Sequence, residues 1–478
     1  MRETKRQMTL YSFYDHTGLE RHFERMAEQG WLLCGSGQYT WHYRRIEPKQ
    51  LTFCVCYYPR ASVFDPLPSV SQEEFYDFCA HTGWTLAAAQ AQMQVFYNER
   101  PHPVPIETDP AEEVDTIHRT MKRSFLPSQL VLLAVAVVNA VQQAWRLRHN
   151  PIQELAEPAC LLSALCWMIL FVLIGAELAG YFRWHAGAVK AAERGERCET
   201  RSRRKLQTAA LVLISAGLIY FLASMFLSGN RMGIIITLLM FLLYLPGAFL
   251  IFHGIKRFMK GLNATAGVSR AATLTGSFVL LCVLLGIIAA GTVFALNRGW
   301  LNGNQETYEY QGRAYTLTRD PLPLALDDLL EGDFSRYTRT WRGRQSFLLG
   351  LYQAHQWPIG PVELFPERVY LDYEVVLVKA PFLYGLCREA KLHERDDWGA
   401  GNPRWHGYTY APVDPAPWGA EEAYRWIRGD GAGGDKDNNQ YLLFYPDRVV
   451  EISLQWAQPP TQAQMAAVGE KLGRGELP

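Results

Sequence analysis

The sequence predicts a mixed architecture: an N-terminal α+β domain, a region of five transmembrane helices and a C-terminal α+β domain on the exterior. Three observations carry this reading. Five apolar runs lie between Phe125 and Leu296, each long enough to cross a bilayer. The stretches before and after them are polar and show the periodicities of soluble strands and helices. Lys and Arg gather in alternate loops between the runs, as the orientation of a multi-span protein requires.

The N-terminal domain is assigned to residues 1–124. Leu10 to Tyr14 reads as a short strand. Leu19, Phe23, Met26 and Ala27 recur at helical spacing, and Gly30 suits the helix end. Trp31-Leu32-Leu33 continues as an extended run. Tyr39, Trp41 and Tyr43, then Phe53, Val55 and Tyr57, alternate with other residues and predict a β-hairpin. A second helix is expected from Ser71 as N-cap with Glu74 at the capping-box position, carrying Phe75 and Phe78 and ending near Gly83. Trp84 and a strand pair ending around Phe96 follow. Gly30-Trp31 and Gly83-Trp84 each follow a helix and precede strands, which suggests a repeated helix–strand–strand unit with helices on one face of an antiparallel sheet. Pro101 to Pro110 reads as extended, and Ala111 to Arg123 as a helix feeding the first span.

The spans fall at approximately 125–145, 158–182, 206–227, 232–252 and 271–296. Each offers about the 20 residues that roughly 30 Å of hydrocarbon demands. Ser228-Gly229-Asn230-Arg231 joins the third and fourth as a tight hairpin. Arg119, Lys122 and Arg123 precede the first span. The loop after the second runs from Arg183 to Lys205 and holds eight basic residues, Arg197 and Arg201 among them. Lys256, Arg257, Lys260 and Arg270 follow the fourth. The alternate loops hold only Arg146 and Arg148, then Arg231. This asymmetry predicts a multi-pass protein of the plasma membrane with a cytoplasmic N-terminus and an exterior C-terminus.

Residues 297–478 form the expected exterior domain. Tyr308 to Leu317, Val369 to Leu377, Tyr441 to Tyr445 and Val449 to Leu454 read as strands, with Asp447-Arg448 turning between the last two. Thr461 and Gln464 form a capping box before a helix with Met465, Val468 and Leu472 on one face. Gly429 to Gln440 is a polar, Gly-rich loop. The whole chain is electrically neutral at pH 7, but this region holds roughly 25 acidic and 19 basic side chains, so the positive excess lies before it.

Candidate chemistry is sparse. Glu177 is the carboxylate within a span's apolar run, and its place near Arg183 points to the interface. Asn139 and Gln142 in the first span are polar enough to line a path, or to hydrogen-bond between helices. These three are the intramembrane polar candidates. Cys54 and Cys56 share a strand face near His42, which two thiols packed beside an aromatic sheet explain more simply than a metal. Asp430, Asp435 and Asp437 lack calcium-loop spacing and read as a solvated turn. Pro246-Gly247 predicts a kink. The N-terminus is polar and basic, so no cleaved signal peptide is expected. Motifs for metalloprotease, serine-hydrolase, P-loop or dinucleotide chemistry are not found, and no basic stripes interleave the aromatic strands. No catalytic residue, cofactor or nucleic-acid partner is expected. The lipid bilayer is the expected partner.

Tyr11-Ser12-Phe13-Tyr14, the helix Leu19 to Ala27, Gly30-Trp31, the hairpin ending at Tyr57-Tyr58, Gly83-Trp84 and Thr108-Asp109 resemble the bacterial domain-of-unknown-function family 2812 (DUF2812). Pro323 to Leu329 is similar to a segment in the exterior domains of longer members. The resemblance implies a cytoplasmic domain joined to membrane helices. It also implies a regulatory or envelope-stress setting, because members are often encoded beside PadR-type transcriptional regulators. It supplies no catalytic residues. The resulting expectation is a non-enzymatic sensor or regulator that couples the exterior domain to a soluble cytoplasmic partner bound by residues 1–124. The alternative is an accessory subunit of a transporter, and a membrane enzyme comes third.

Overall fold

The computed structural model describes residues 3–8, 11–37, 40–62, 64–65, 68–200, 204–227, 231–297, 304–365, 369–394, 408–428, 439–456 and 458–477. Contacts divide the chain into two compact units. One comprises Met1–Ala140, Leu165–Gly217 and Ile236–Gly291; the other comprises Val141–Ala164, Leu218–Ile235 and Thr292–Pro478.

In the first unit, the N-terminal domain runs β1 (Thr4–Met8), α1 (His16–Glu28), β2 (Trp31–Ser36), β3 (Thr40–Arg45), β4 (Thr52–Tyr57), α2 (Val70–His81), β5 (Thr85–Gln90) and β6 (Met93–Asn98). In place of one sheet there are two, each antiparallel and three-stranded, in the orders β1-β3-β2 and β4-β6-β5. Both follow the same strand–helix–strand–strand path with the last strand in the middle. The repeat extends to detail. Each helix ends at a glycine in the left-handed region, Gly30 with φ 80° and Gly83 with φ 90°. Each second strand carries a bulge at an equivalent place, between Leu33 and Gly35 and between Leu86 and Ala88. The repeat therefore holds and gains a strand in each copy. Strands β2 and β5 lie side by side, and Ser36 Oγ donates to Ala89 O at 3.1 Å.

Three local expectations change. The first strand is Thr4–Met8, not Leu10–Tyr14: a turn at Ser12–Asp15 drops Tyr14 into the core at 2% exposure. Strands β3 and β4 do not form a hairpin. Both edges of β3 are taken by β1 and β2, and β4 pairs with β6. The segment between them is held to the end of α1 by Ile46 N to Gly30 O and Lys49 N to Ala27 O. The second helix has Ser69 at its N-cap position, with no side-chain cap bond, so Ser71 lies in its first turn and bonds Tyr58 Oη instead. The free edge of β4 is closed by α1: Glu20 and Glu24, one turn apart, accept from Val55 N at 2.8 Å and Phe53 N at 3.4 Å.

Five helices are long and apolar enough to cross a membrane: Pro110–His149, Pro158–Ala192, Arg204–Phe226, Ile235–Gly261 and Ala266–Ala295. Asp109 caps the first, its Oδ1 accepting from Ala111 N at 2.9 Å with Pro110 behind it. Almost none of their apolar windows is covered by protein, from 0 to 11%, as suits helices that face lipid. Pro246 sits just past a widened turn at Met240–Tyr244, which makes room for a ring that would meet the Leu242 carbonyl in a regular helix. Where a kink was expected, the proline is accommodated by an extra residue in the turn. Ser228, Gly229 and Asn230 of the expected tight hairpin lie outside the described residues.

In the second unit, β7 (Gln305–Tyr310) and β8 (Arg313–Thr318) form a hairpin. The single strand expected across Tyr308–Leu317 is cut by Gln311 (φ 48°) and Gly312 (φ 75°), the conformation of a two-residue hairpin turn. A seven-stranded antiparallel sheet follows, built from β9 (Tyr337–Gln345), β10 (Leu349–Pro358), β11 (Tyr370–Val378), β12 (Tyr408–Val413), β13 (Glu422–Arg428), β14 (Gln440–Tyr445) and β15 (Arg448–Gln455). Its order is β12-β13-β14-β15-β11-β10-β9. The turn before β15 is Pro446-Asp447, with Tyr445 paired to Arg448. Both faces are covered. One packs Leu371, Tyr373, Leu443 and Ile452 against Trp418 and the terminal helix Gln462–Val468, whose capping box forms as expected. The other packs Val376, Leu442 and Phe444 against Cys387 of the helix Tyr384–His393 and against Ile152 and Ala156. Those last two lie on Pro151–Ala156, a short helix between the first and second spans. Asp430, Asp435 and Asp437 lie outside the described residues.

Candidate functional site at the junction of the N-terminal domain and the second span

The N-terminal core is completed by the second span. Tyr181, Trp184 and Ala188 belong to the same buried cluster as Tyr14, Leu19 and Phe23. Trp184 stacks on Tyr14 with centroids 5.8 Å apart and meets His16 edge-on at 6.0 Å. Four residues before Tyr181, Glu177 Oε1 accepts from Ser12 Oγ and from Gln207 Nε2, both at 2.9 Å, while its Oε2 is buried without a partner. Glu177 therefore joins two spans to the domain rather than reaching into water. Asn139 donates to Val135 O of its own helix and Gln142 is exposed. Neither is a partner of Glu177. The inter-helix amide bond is made one residue on, from Gln143 Nε2 to Cys160 O at 3.2 Å.

The basic loop after the second span returns to the same domain. Thr200 N donates to Thr17 Oγ1 at 3.0 Å, the two hydroxyls lie 2.6 Å apart, and Thr200 Oγ1 also donates to Asp15 Oδ1. Arg197 pairs with Glu113 at 3.2 Å and donates to Glu107 O. Arg21 pairs with Glu199. Asp15 is fully buried, and its Oδ2 has no partner. Asp15 Oδ1 also accepts from Gly18 N at 3.2 Å as the cap of α1, so losing Thr200 would leave this buried carboxylate a single donor, which is costlier than losing an exposed hydrogen bond.

Beneath the loop is a cavity of about 50 Å³ lined by His16, Glu20, Cys54, Glu107, Glu113 and Arg197 among others, room for water but not for a substrate. Burial pushes the Glu20 carboxyl up to about 8, against the opposing Val55 N–H. Burial, helped by Glu113, pushes Glu107 up to about 7. Burial holds His16 below its ordinary value, outweighing Glu113. The His16 ring lies 3.1 Å from Tyr14 O and 3.5 Å from Glu113 Oε1. A neutral imidazole has one N–H for those two acceptors, so only the protonated ring satisfies both. Protonation of these groups changes the charge facing Arg197.

Cys54 and Cys56 lie 3.4 Å apart, with Cys56 and Cys79 buried against Trp84 and Phe96. His42 is on the other sheet and bonds Thr40 Oγ1. Among the described residues, one trio of carboxylates is close enough to share an ion: Glu374, Glu394 and Glu451 in the second unit. The Lys391 ammonium sits among them at 2.5, 2.6 and 3.1 Å. Burial would lower the Lys391 pKa, but the carboxylates more than offset it and hold it raised.

Residues 16–128 match the family described as "Protein of unknown function (DUF2812)". The matched stretch takes in α1 to β6 and the start of the first span, as the resemblance in the sequence implied. It ends before Glu177, Arg197 and Thr200, so half of this junction lies beyond it. Searches of curated proteins and of solved structures found no match. Sequence reasoning missed Thr200 and gave Arg197 only an orienting role, because a basic loop satisfies the orientation rule without further duty. Glu20 did carry a signal, since it flanks the apolar stripe of Leu19, Phe23 and Ala27.

Proposed function

We propose that this membrane protein is a non-enzymatic sensor or regulator, with the N-terminal domain in the cytoplasm binding a soluble partner and the C-terminal domain outside. The observation that carries the reading is that Tyr181, Trp184 and Thr200 are built into the N-terminal core. A shift or rotation of the second span must then change contacts inside the domain, which is what coupling requires. Two loops support the orientation. The basic loop holds the N-terminal domain, whereas the short helix carrying Ile152, from a loop poor in basic residues, packs within the C-terminal core.

Two measurements test this. Glu73→Cys and Ser335→Cys place exposed thiols in the N- and C-terminal domains. In intact cells, an impermeant maleimide should label the second and spare the first; the reverse pattern refutes the orientation. For the partner, the full-length protein is needed, because residues 1–124 lack the Tyr181, Trp184 and Ala188 side of their core. Affinity purification in mild detergent should recover a soluble protein, for which a transcriptional regulator is the first candidate, and Thr200→Val should change the yield. Stoichiometric recovery of a multi-span permease would instead establish the accessory-subunit reading.

A further inference from the structure

The hairpin tips of the two repeats converge on the last turns of the fourth span. Gly37 and Thr40 from the β2–β3 turn, and Gln90 and Ala91 from the β5–β6 turn, line a cavity of about 630 Å³ with His253, Lys256 and Lys260. An adjoining cavity of about 480 Å³ shares Thr40, Ser62, Gln90 and Ala91 and reaches Arg270 at the start of the fifth span. Lys256 Nζ lies 5.8 Å and Arg270 Cζ 5.6 Å from the centroid of the Phe64 ring, so cations from two helices flank one side chain. Among the described residues, no carboxylate lines either cavity, and Lys256, Lys260 and Arg270 make no ion pair. Phe249 and Phe252, on the span itself, form the apolar wall.

The orientation rule asks for basic residues at this level, but it does not ask for a recess, a hydroxyl and amide lining, or the exclusion of every acid. Three cations without ion-pair partners around a largely apolar hollow with a few hydroxyl and amide groups, at the end of two lipid-exposed helices, call for an anion with a phosphate-like head and an apolar remainder. We propose that the hollow holds the phosphate headgroup of an anionic phospholipid, its acyl chains lying along the fourth span beside Phe249 and Phe252. This requires only that the helices sit in a bilayer and is independent of the partner-binding reading.

The test uses the purified, delipidated full-length protein in a neutral detergent, titrated with fluorescent phosphatidylglycerol and, separately, phosphatidylcholine. Phosphatidylglycerol should bind more tightly. The triple variant Lys256→Gln, Lys260→Gln, Arg270→Gln should bind it on the order of 100-fold more weakly, given the typical contribution of each basic residue near an anionic headgroup. Removing the same charge elsewhere, by Arg183→Gln, Lys190→Gln and Lys205→Gln, should leave binding within about threefold, well short of the loss of even one such contact. Ala89 also lines the hollow, so Ala89→Trp places an indole in it without altering charge and should also weaken binding, which guards against a misfolded triple variant. Equal affinity for the two lipids, or equal loss in both triple variants, overturns the proposal. So does tight binding of inorganic phosphate with none of phosphatidylglycerol, which would assign the hollow to a free anion.

Discussion

Replacing Glu20 with Gln should make the protein more stable at alkaline pH and leave it unchanged in acid. The carboxyl end of Glu20 is enclosed between α1 and the edge of β4, and its one firm donor is Val55 N. Burial raises it from 4.5 to about 8 in the folded chain. A raised carboxyl contributes stability that is fully present below the unfolded value and is lost as pH climbs through the folded one. The loss therefore develops between about pH 4.5 and 8 and levels off above that. Such a displacement corresponds to at most about 5 kcal/mol, and relaxation around the ionised group makes about 2–5 kcal/mol the working range. Gln keeps an oxygen for Val55 N–H and cannot ionise. Unfolding of the full-length protein in detergent, followed by tryptophan fluorescence from pH 5 to 9, should show the two proteins together at pH 5 and diverging toward pH 9. His16 acts in the opposite sense, because a depressed imidazole costs stability as pH falls below 6.5. The difference between variant and parent, rather than either curve alone, isolates Glu20. Parallel curves would mean that the carboxylate is solvated and that the enclosure has no electrostatic effect.

Thr200→Val should cost about 1–3 kcal/mol by removing one of the two donors to the buried Asp15 carboxylate, and should speed tryptic cleavage at Arg194 and Arg197. Cleavage at the parent rate would show that the loop is not held there. Lys391→Met leaves three facing carboxylates and should cost about 3–5 kcal/mol, partly recovered by millimolar calcium; a thermal melt indifferent to calcium counts against the cage. Gly30→Ala should destabilise more than Gly83→Ala, although both are left-handed. A Cβ at Gly30 meets the Ile46 backbone oxygen at 2.8 Å, whereas at Gly83 it meets only side-chain atoms from 3.4 Å outward. Equal melts would refute that reading. Native Cys387 is fully buried and should resist thiol reagents until the domain unfolds, so it cannot report topology.

The membrane segment was legible because its signal is additive: twenty apolar residues in a row admit few other readings. The repeat in the N-terminal domain was legible in two Gly-Trp pairs because helix ends that need a left-handed residue leave glycine in the sequence. Strand partners were not legible. Tyr43 and Phe53 alternate with their neighbours as hairpin strands do, yet β3 was already paired on both edges, and pairing is decided by strands far away in the chain. The seven-stranded sheet was half seen for a related reason. Val375-Val376 and Leu442-Leu443 face different cores, so apolar residues adjoin there and the alternation is lost, whereas in β9 Arg339, Arg342 and Arg344 obscure the core-facing Tyr337 and Trp341. The junction was least visible. Glu177 was singled out for its chemistry, but Asp15, Thr17 and Thr200 became a group only through a contact spanning 183 residues and more.

The borrowing of span and loop residues by each domain fixes an order of assembly. The N-terminal core cannot close until Tyr181, Trp184 and Thr200 have been synthesised, that is, until the second span has emerged and its following loop is free to fold back. The C-terminal sheet, last to be made, must find Ile152 and Ala156, which were made some two hundred residues earlier. Contacts this distant close slowly and leave apolar surface waiting. A chain whose fifth span inserted late or reversed would deliver β10, β11 and β14 without their cover, and its defect would register as aggregation of the last domain although the fault lay in the bilayer.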